Sequence, residues 1–399
     1  MLYSKRLESF DLLRLFFVLM ALTAHYRVAQ GAGYELPALR TQADTSLLNL
    51  PYHIAITRTS MSALLIIFGF MLEYVYASAW RAKGAAVVLE KMLTRTVICY
   101  LAFLTLAFLA IWVQSSSSLK AYAGTALFIY PEDGKAFLFK YYTLLIPIVF
   151  LLMWLRFRYG LLVEIMTVAA LILLAEVIKA NTNGFRAPFE LIGANIFGVG
   201  NKVGPSVLHS LALVTLGRLT ASYSLTRKAD IKAWLLLLLV VLSVGAVGLE
   251  IHRVGFAEFV RLMASTKTYR AHNSHIYFAF GMISFLFFWV ICWFTIQPLG
   301  PKIKSWISYY GGNTFIIFLY GNILLFFTPH INANGVGYSI SLIIYLLLSL
   351  LCVNVYEWAN QHVRVVSLYI RFIKSVVPKI LSLRHSRAKD KDKTVVVEG

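Results

Sequence analysis

The sequence predicts an all-α protein, a polytopic bundle of about ten transmembrane helices. Three observations lead there. Of 399 residues, 59% are hydrophobic and only 14% are charged, whereas soluble domains are about 45–50% apolar and about 25% charged. The mean hydropathy is +0.72. The apolar residues also gather in runs of about twenty, the length a helix needs to cross the hydrocarbon core. This composition excludes an ordinary soluble enzyme, a disordered chain and a secreted disulfide scaffold. Lys and Arg number 37 against 18 for Asp and Glu, a formal charge of +19. Something anionic is therefore expected beside the chain.

The spans follow in order. The first, 10–29, comes after Lys5 and Arg6. Asp11 and Arg14 interrupt it and further spans follow, so it reads as a span and not as a cleaved signal. The second, 57–80, ends before Arg81 and Lys83, and the third, 92–113, begins beside Lys91. The apolar stretch Ala121–Tyr130 is too short to cross and reads as interfacial or re-entrant. Spans 136–155 and 161–180 flank Arg156 and Arg158. The weakest span is 203–222, which contains His209 and Arg218. Spans 231–250, 277–297, 306–329 and 335–360 complete the set.

Lys and Arg in short loops mark the cytoplasmic side. With the N-terminus inside, the clusters at Lys5, Arg81, Arg156, Arg227 and Lys302 all face the cytoplasm. The loop between the last two spans has neither Lys nor Arg. The 251–276 loop breaks the trend with Arg253, Arg261, Lys267 and Arg270, but long loops obey the rule poorly. Ten spans return the C-terminus to the cytoplasm. Residues 1–360 thus form one transmembrane domain, and 361–399 form a basic tail with nine Lys or Arg against three acidic residues. Between Val365 and Leu383, apolar and basic residues recur at helical spacing. The tail reads either as an amphipathic helix on anionic inner-leaflet lipids or as a plain solvated tail. No nucleic-acid motif accompanies the charge, so no nucleic-acid partner is expected.

Cys99, Cys292 and Cys352 fall inside spans and read as packing residues. No Cys/His metal spacing occurs, and His272 and His275 lack a third ligand, so no metal is expected. The chain has no phosphate loop and no nucleophile elbow.

Ionisable residues inside spans are costly and mark candidate sites. Asp11, Arg14, His25 and Arg95 stand out. Arg14 and His25 are eleven steps apart, which returns to within about 20° of one helix face, about 16 Å along the axis. Asp11 lies three residues before Arg14, within pairing reach. Arg95 stands near the start of the third span with Lys91, where it can meet Arg14 at the inner mouth of a cavity. The plain alternative is that Arg14 pairs or snorkels and His25 marks the outer interface. Glu73 either neutralises a nearby Arg or joins the site. Glu164 and Glu176 read as partners for bundle-facing cations.

Arg14, ten residues and His25 on the first span resemble the opening of the membrane-bound acyltransferase-3 family. Ile67-Phe68-Gly69-Phe70-Met71-Leu72 is similar to that family's Phe-Ser-Gly-Phe-Leu stretch, with Phe68 in place of Ser. Arg95 resembles its third-span Arg. Tyr310-Gly311-Gly312-Asn313-Thr314 and the apolar residues after it resemble its Gly-x-Asn-Thr segment, with Tyr320, Gly321 and Asn322 where many members carry a His.

The resemblance implies transfer of an acyl group, usually acetyl, from cytoplasmic acyl-CoA to a hydroxyl of a free or lipid-linked glycan across a bacterial inner membrane. His25 would act as general base or acyl carrier, and Asp11 would hold Arg14. Arg14, Arg95 and Lys91 would bind the donor, and Glu73 and His53 would face the acceptor. A transporter or flippase for an anionic solute or lipid-linked saccharide is the main alternative. A non-catalytic scaffold is the third reading.

Overall fold

The computed structural model describes residues 7–30, 59–113, 118–128, 135–182, 185–186, 189–199, 205–226, 231–329, 335–364, 367–368, 372 and 375. Every regular element among them is helical. His53 and most of the basic tail lie outside the described residues.

The helices are α1 (Glu8–Ala29), α2 (Ser60–Lys83), α3 (Ala85–Val113), α4 (Leu119–Ala126), α5 (Phe137–Tyr159), α6 (Leu161–Asn181) and α7 (Glu190–Phe197). They continue with α8 (Val207–Thr226), α9 (Ile231–Val254), α10 (Phe256–Ala264), α11 (His275–Ile296), α12 (Pro301–Gly312), α13 (Thr314–Phe327) and α14 (Gly335–His362). Single glycines at positive φ, Gly84 (82°) and Gly160 (97°), reverse the chain between α2 and α3 and between α5 and α6. A side chain would strain either turn.

Eight described helices are long and apolar enough to cross a membrane, and a bent pair, α12 and α13, makes a ninth if counted as one span. That pair corresponds to the span expected at 306–329. It breaks at Asn313 with a bend of 65°. The span expected at 203–222 is helix α8, which is not apolar enough to pass on composition alone. Its position explains why. Nearly all its side chains are buried by protein, so it needs no lipid-compatible face. It runs antiparallel to α6, with His209 beside Glu176 and Arg218 beside Glu164. It therefore traverses the bundle as far as its neighbours do.

The centre of the bundle is α1, α2 and α8. α2 and α8 touch backbone to backbone. A Cβ on Gly69 would lie 2.0 Å from the Val214 carbonyl oxygen, and one on Gly217 would lie 1.9 Å from that of Ile66. Small residues permit such approach between membrane helices. α1 packs on α2, α11, α12 and α13; Phe10 stacks on Phe70 at 3.7 Å and meets Trp289 edge-on at 5.1 Å. α6 and α9 lie outermost, with 17% and 11% of their apolar stretches buried.

Three segments without an expected span form short helices, α4, α7 and α10. α4 runs back along α3, with Tyr122 against Phe108 and the Tyr100 hydroxyl donating to the Ala126 carbonyl at 2.9 Å. The 251–276 segment, expected as a loop, contains α10. It buries Phe259, Val260 and Met263 and leaves the Glu258–Arg261 ion pair exposed.

Candidate functional site

The α12–α13 pair lies along α1. Gly311 sits on Asp11 so closely that a Cβ would come 2.5 Å from the Asp11 carbonyl oxygen. Three residues on, the Arg14 guanidinium donates to the Thr314 hydroxyl at 3.2 Å. Gly321 packs on Leu22, and Asn322 reaches His25. The residue numbers rise together on both elements, so α13 runs parallel to α1. The Gly-Gly-Asn-Thr stretch thus supplies both the close approach at Gly311 and the bend that starts α13 beside Arg14.

A cavity of about 240 Å³ opens at this bend, between α1, α2, α3, α5 and α13. Its wall is largely apolar, from Leu64, Phe68, Phe139 and Phe318 among others. Its only described cations are Arg14 and Arg95; Cys99 and Tyr142 also line it. Asp11 holds Arg14 from the side, 3.8 Å away, and itself accepts from the Ser308 hydroxyl at 3.2 Å. Gly312 and Thr314, at the N-terminus of α13, line the cavity too. The first N–H groups of a helix carry partial positive charge. Two guanidiniums and a helix N-terminus on one cavity suit an anionic ligand.

His25 stands one aromatic ring away. Its Nδ1 lies 2.6 Å from Asn322 Oδ1. Asn322 is fully buried, and its amide nitrogen donates to the Phe318 carbonyl at 2.7 Å. That bond turns the amide oxygen toward the ring, so Nδ1 carries the proton. In the neutral imidazole the lone pair then falls on Nε2. The Phe318 ring contacts the imidazole at a centroid distance of 5.6 Å and also lines the cavity.

Glu73 belongs to a different cluster. The helix widens into a π turn over Leu72–Ala77, and the buried Glu73 carboxylate accepts from three arginines. Arg156 donates at 2.7 and 3.1 Å, Arg81 at 3.2 Å and Arg218 at 3.5 Å. Arg218 also pairs with buried Glu164, which lies 3.7 Å from Arg156. The cluster joins α2, α5, α6 and α8. Glu73 does not line the cavity, although Leu72 and Tyr76 of its turn do. Lys91 is exposed on α3 and is not part of the cavity wall.

Sequence reasoning passed over Asn322, Thr314, Arg156 and Arg218 as site or cluster members. A signal was present for Arg218, a cation inside an expected span; Arg156 read as a loop cation, and neither helix carries an acid that would announce the pairing. Among the described residues no group of three His, Cys, Asp or Glu is placed to hold a metal. Comparison with known proteins finds no matching family model, no matching curated protein and no matching solved structure.

Proposed function

We propose that the protein is an integral membrane acyltransferase. It moves an acyl group, acetyl in the simplest case, from acyl-CoA to a hydroxyl of a glycan on the opposite side of a bacterial inner membrane. One observation carries this reading: a narrow cavity with Arg14, Arg95 and a helix N-terminus lies one phenyl ring from a histidine whose tautomer is fixed. The cations suit the phosphates of coenzyme A, and the apolar wall suits its thioester arm.

In the proposed step, Nε2 of His25 takes the proton of the acceptor hydroxyl. The oxygen forms a bond to the thioester carbonyl carbon, the C–S bond breaks, and the coenzyme A thiolate takes up the proton that His25 Nε2 had accepted, which restores the neutral imidazole. Asn322 stabilises the imidazolium through Nδ1–H, and Phe318 swings aside to join the cavity to His25. Arg14, steadied by Asp11, faces the donor.

The same reading places both termini in the cytoplasm and counts ten crossings. Parity supports it. Seven helices, α2, α3, α5, α6, α8, α9 and α11, lie between α1 and α13. An odd number of intervening crossings makes α1 and α13 parallel, as their contacts require, and this count needs α8 as a crossing.

A transporter is the second reading, favoured by the broken α12–α13 span, since transporters bind substrate at interrupted helices. Labelled acyl-CoA supplied to inverted vesicles separates the two: a transporter moves solute or acceptor without acylating it. For the enzyme, His25→Ala at normal membrane levels should lower acyl transfer to envelope glycan by about 10²–10⁴-fold, the range of general-base catalysis. Unchanged acylation would sink the mechanism.

A further inference from the structure

A second, larger cavity of about 770 Å³ lies among α6, α8, α9 and α11 and shares no lining residue with the first. Each of the four helices contributes residues from one eight-residue stretch: 172–179, 209–216, 239–246 and 275–282. Each stretch is two turns, about 10 Å of helix. The polar groups gather at one level. Glu176 and Lys179 end the α6 stretch, and His209 and His275 begin those of α8 and α11. The opposite level is Ile172, Leu216, Leu239 and Met282. α6 and α9 each pack on α8 but not closely on one another, so the cavity is a groove between the two least covered helices.

The polar level is built. Buried His209 bonds Glu176 Oε1 through Nε2 at 2.6 Å and the Ser206 hydroxyl through Nδ1 at 2.6 Å. Lys179 lies 3.5 Å from Glu176 and donates to the His272 carbonyl at 2.8 Å. The Glu176 side chain is 47% exposed, so a carboxylate faces the groove and already neutralises the one lysine there. That arrangement opposes a phosphate head. It offers acceptors and donors together, which hydroxyl groups match.

We propose that this groove binds a glycolipid, with a neutral sugar head at Glu176 and His209 and a hydrocarbon chain along Leu216, Leu239 and Met282. The proposal places the polar level at the outer face, the orientation adopted above, but needs no acyl transfer.

The test uses the full-length protein in lipid nanodiscs with three photoactivatable probes of equal chain length: an alkyl glucoside, an alkyl phosphocholine and a plain alkanol. The glucoside should label peptides of α6, α8, α9 and α11. Ala246→Phe, which fills the groove from α9, should lower that labelling about tenfold, and Glu176→Gln should weaken it. Ser243→Leu serves as a second filling variant if Ala246→Phe does not fold. Labelling needs no turnover, so it can fail while acyl transfer stands, or the reverse. Equal labelling by the phosphocholine or the alkanol overturns the sugar specificity. Labelling unaffected by either filling variant overturns the site.

Discussion

Asn322 is the residue whose role depends most on its partner. It fixes which nitrogen of His25 carries the proton. Asn322→Ala should therefore slow acyl transfer by about tenfold, the worth of one net hydrogen bond of roughly 1–1.5 kcal/mol. The affinity for acyl-CoA should stay unchanged, because Asn322 does not itself line the cavity and meets its wall only through the Phe318 carbonyl. Steady-state rates with varied acyl-CoA check both halves; a raised KM with normal kcat would place Asn322 with the donor instead. At this scale the sequence exposed what lies close along the chain. Asp11, Arg14 and His25 share one helix and can be read by counting turns. Asn322 is 297 positions from His25, and no local periodicity reveals that pairing. A polar residue within an apolar run was the available signal.

At the scale of elements, apolar runs located the spans because length and hydropathy are local properties. They did not locate the bend at Asn313, since a window long enough to find a span averages the mixed stretch Ile307–Gly312 with the apolar run Thr314–Phe327. Nor did they show that α8 is central, because a helix surrounded by protein can carry His209 and Arg218 where a lipid-facing one cannot. The α2–α8 contact follows from glycines whose partners lie far away in sequence. Gly217→Val should lower stability by about 1–3 kcal/mol through overpacking, read as a lower thermal unfolding midpoint in detergent. Gly245→Val is the control: a Cβ at Gly245 meets nothing within 4 Å. Equal effects at both positions would mean that helix propensity, and not the close crossing, is being measured.

Across the whole molecule, the +19 charge divides by location. Most basic residues fall in the segments that join the expected spans or in the tail, the distribution that a positive-inside bias predicts. Arg156 and Arg218 are balanced inside the bundle by Glu73 and Glu164, which makes that cluster a brace across four helices. Removing one partner of a buried pair leaves an uncompensated charge, at a cost of about 3–5 kcal/mol. Arg218→Met should show that loss in thermal unfolding. The double variant Arg218→Met/Glu164→Met should recover most of it, because Arg156 and Glu73 remain paired. Failure of the double variant to recover would show that Arg218 acts through more than Glu164.

The glycine-to-backbone crossing of α2 and α8 has a consequence for the two cavities. α2 presents Leu64, Ile67 and Met71 to one, α8 presents Ala212, Leu213 and Leu216 to the other, and no side chain cushions the seam between the helices. The pair is a stiff bulkhead with a chamber on each side. Sliding or tilting one helix of the pair against the other would first have to open the Gly69–Val214 and Gly217–Ile66 contacts, so the wall between the chambers is the part of the bundle least free to give.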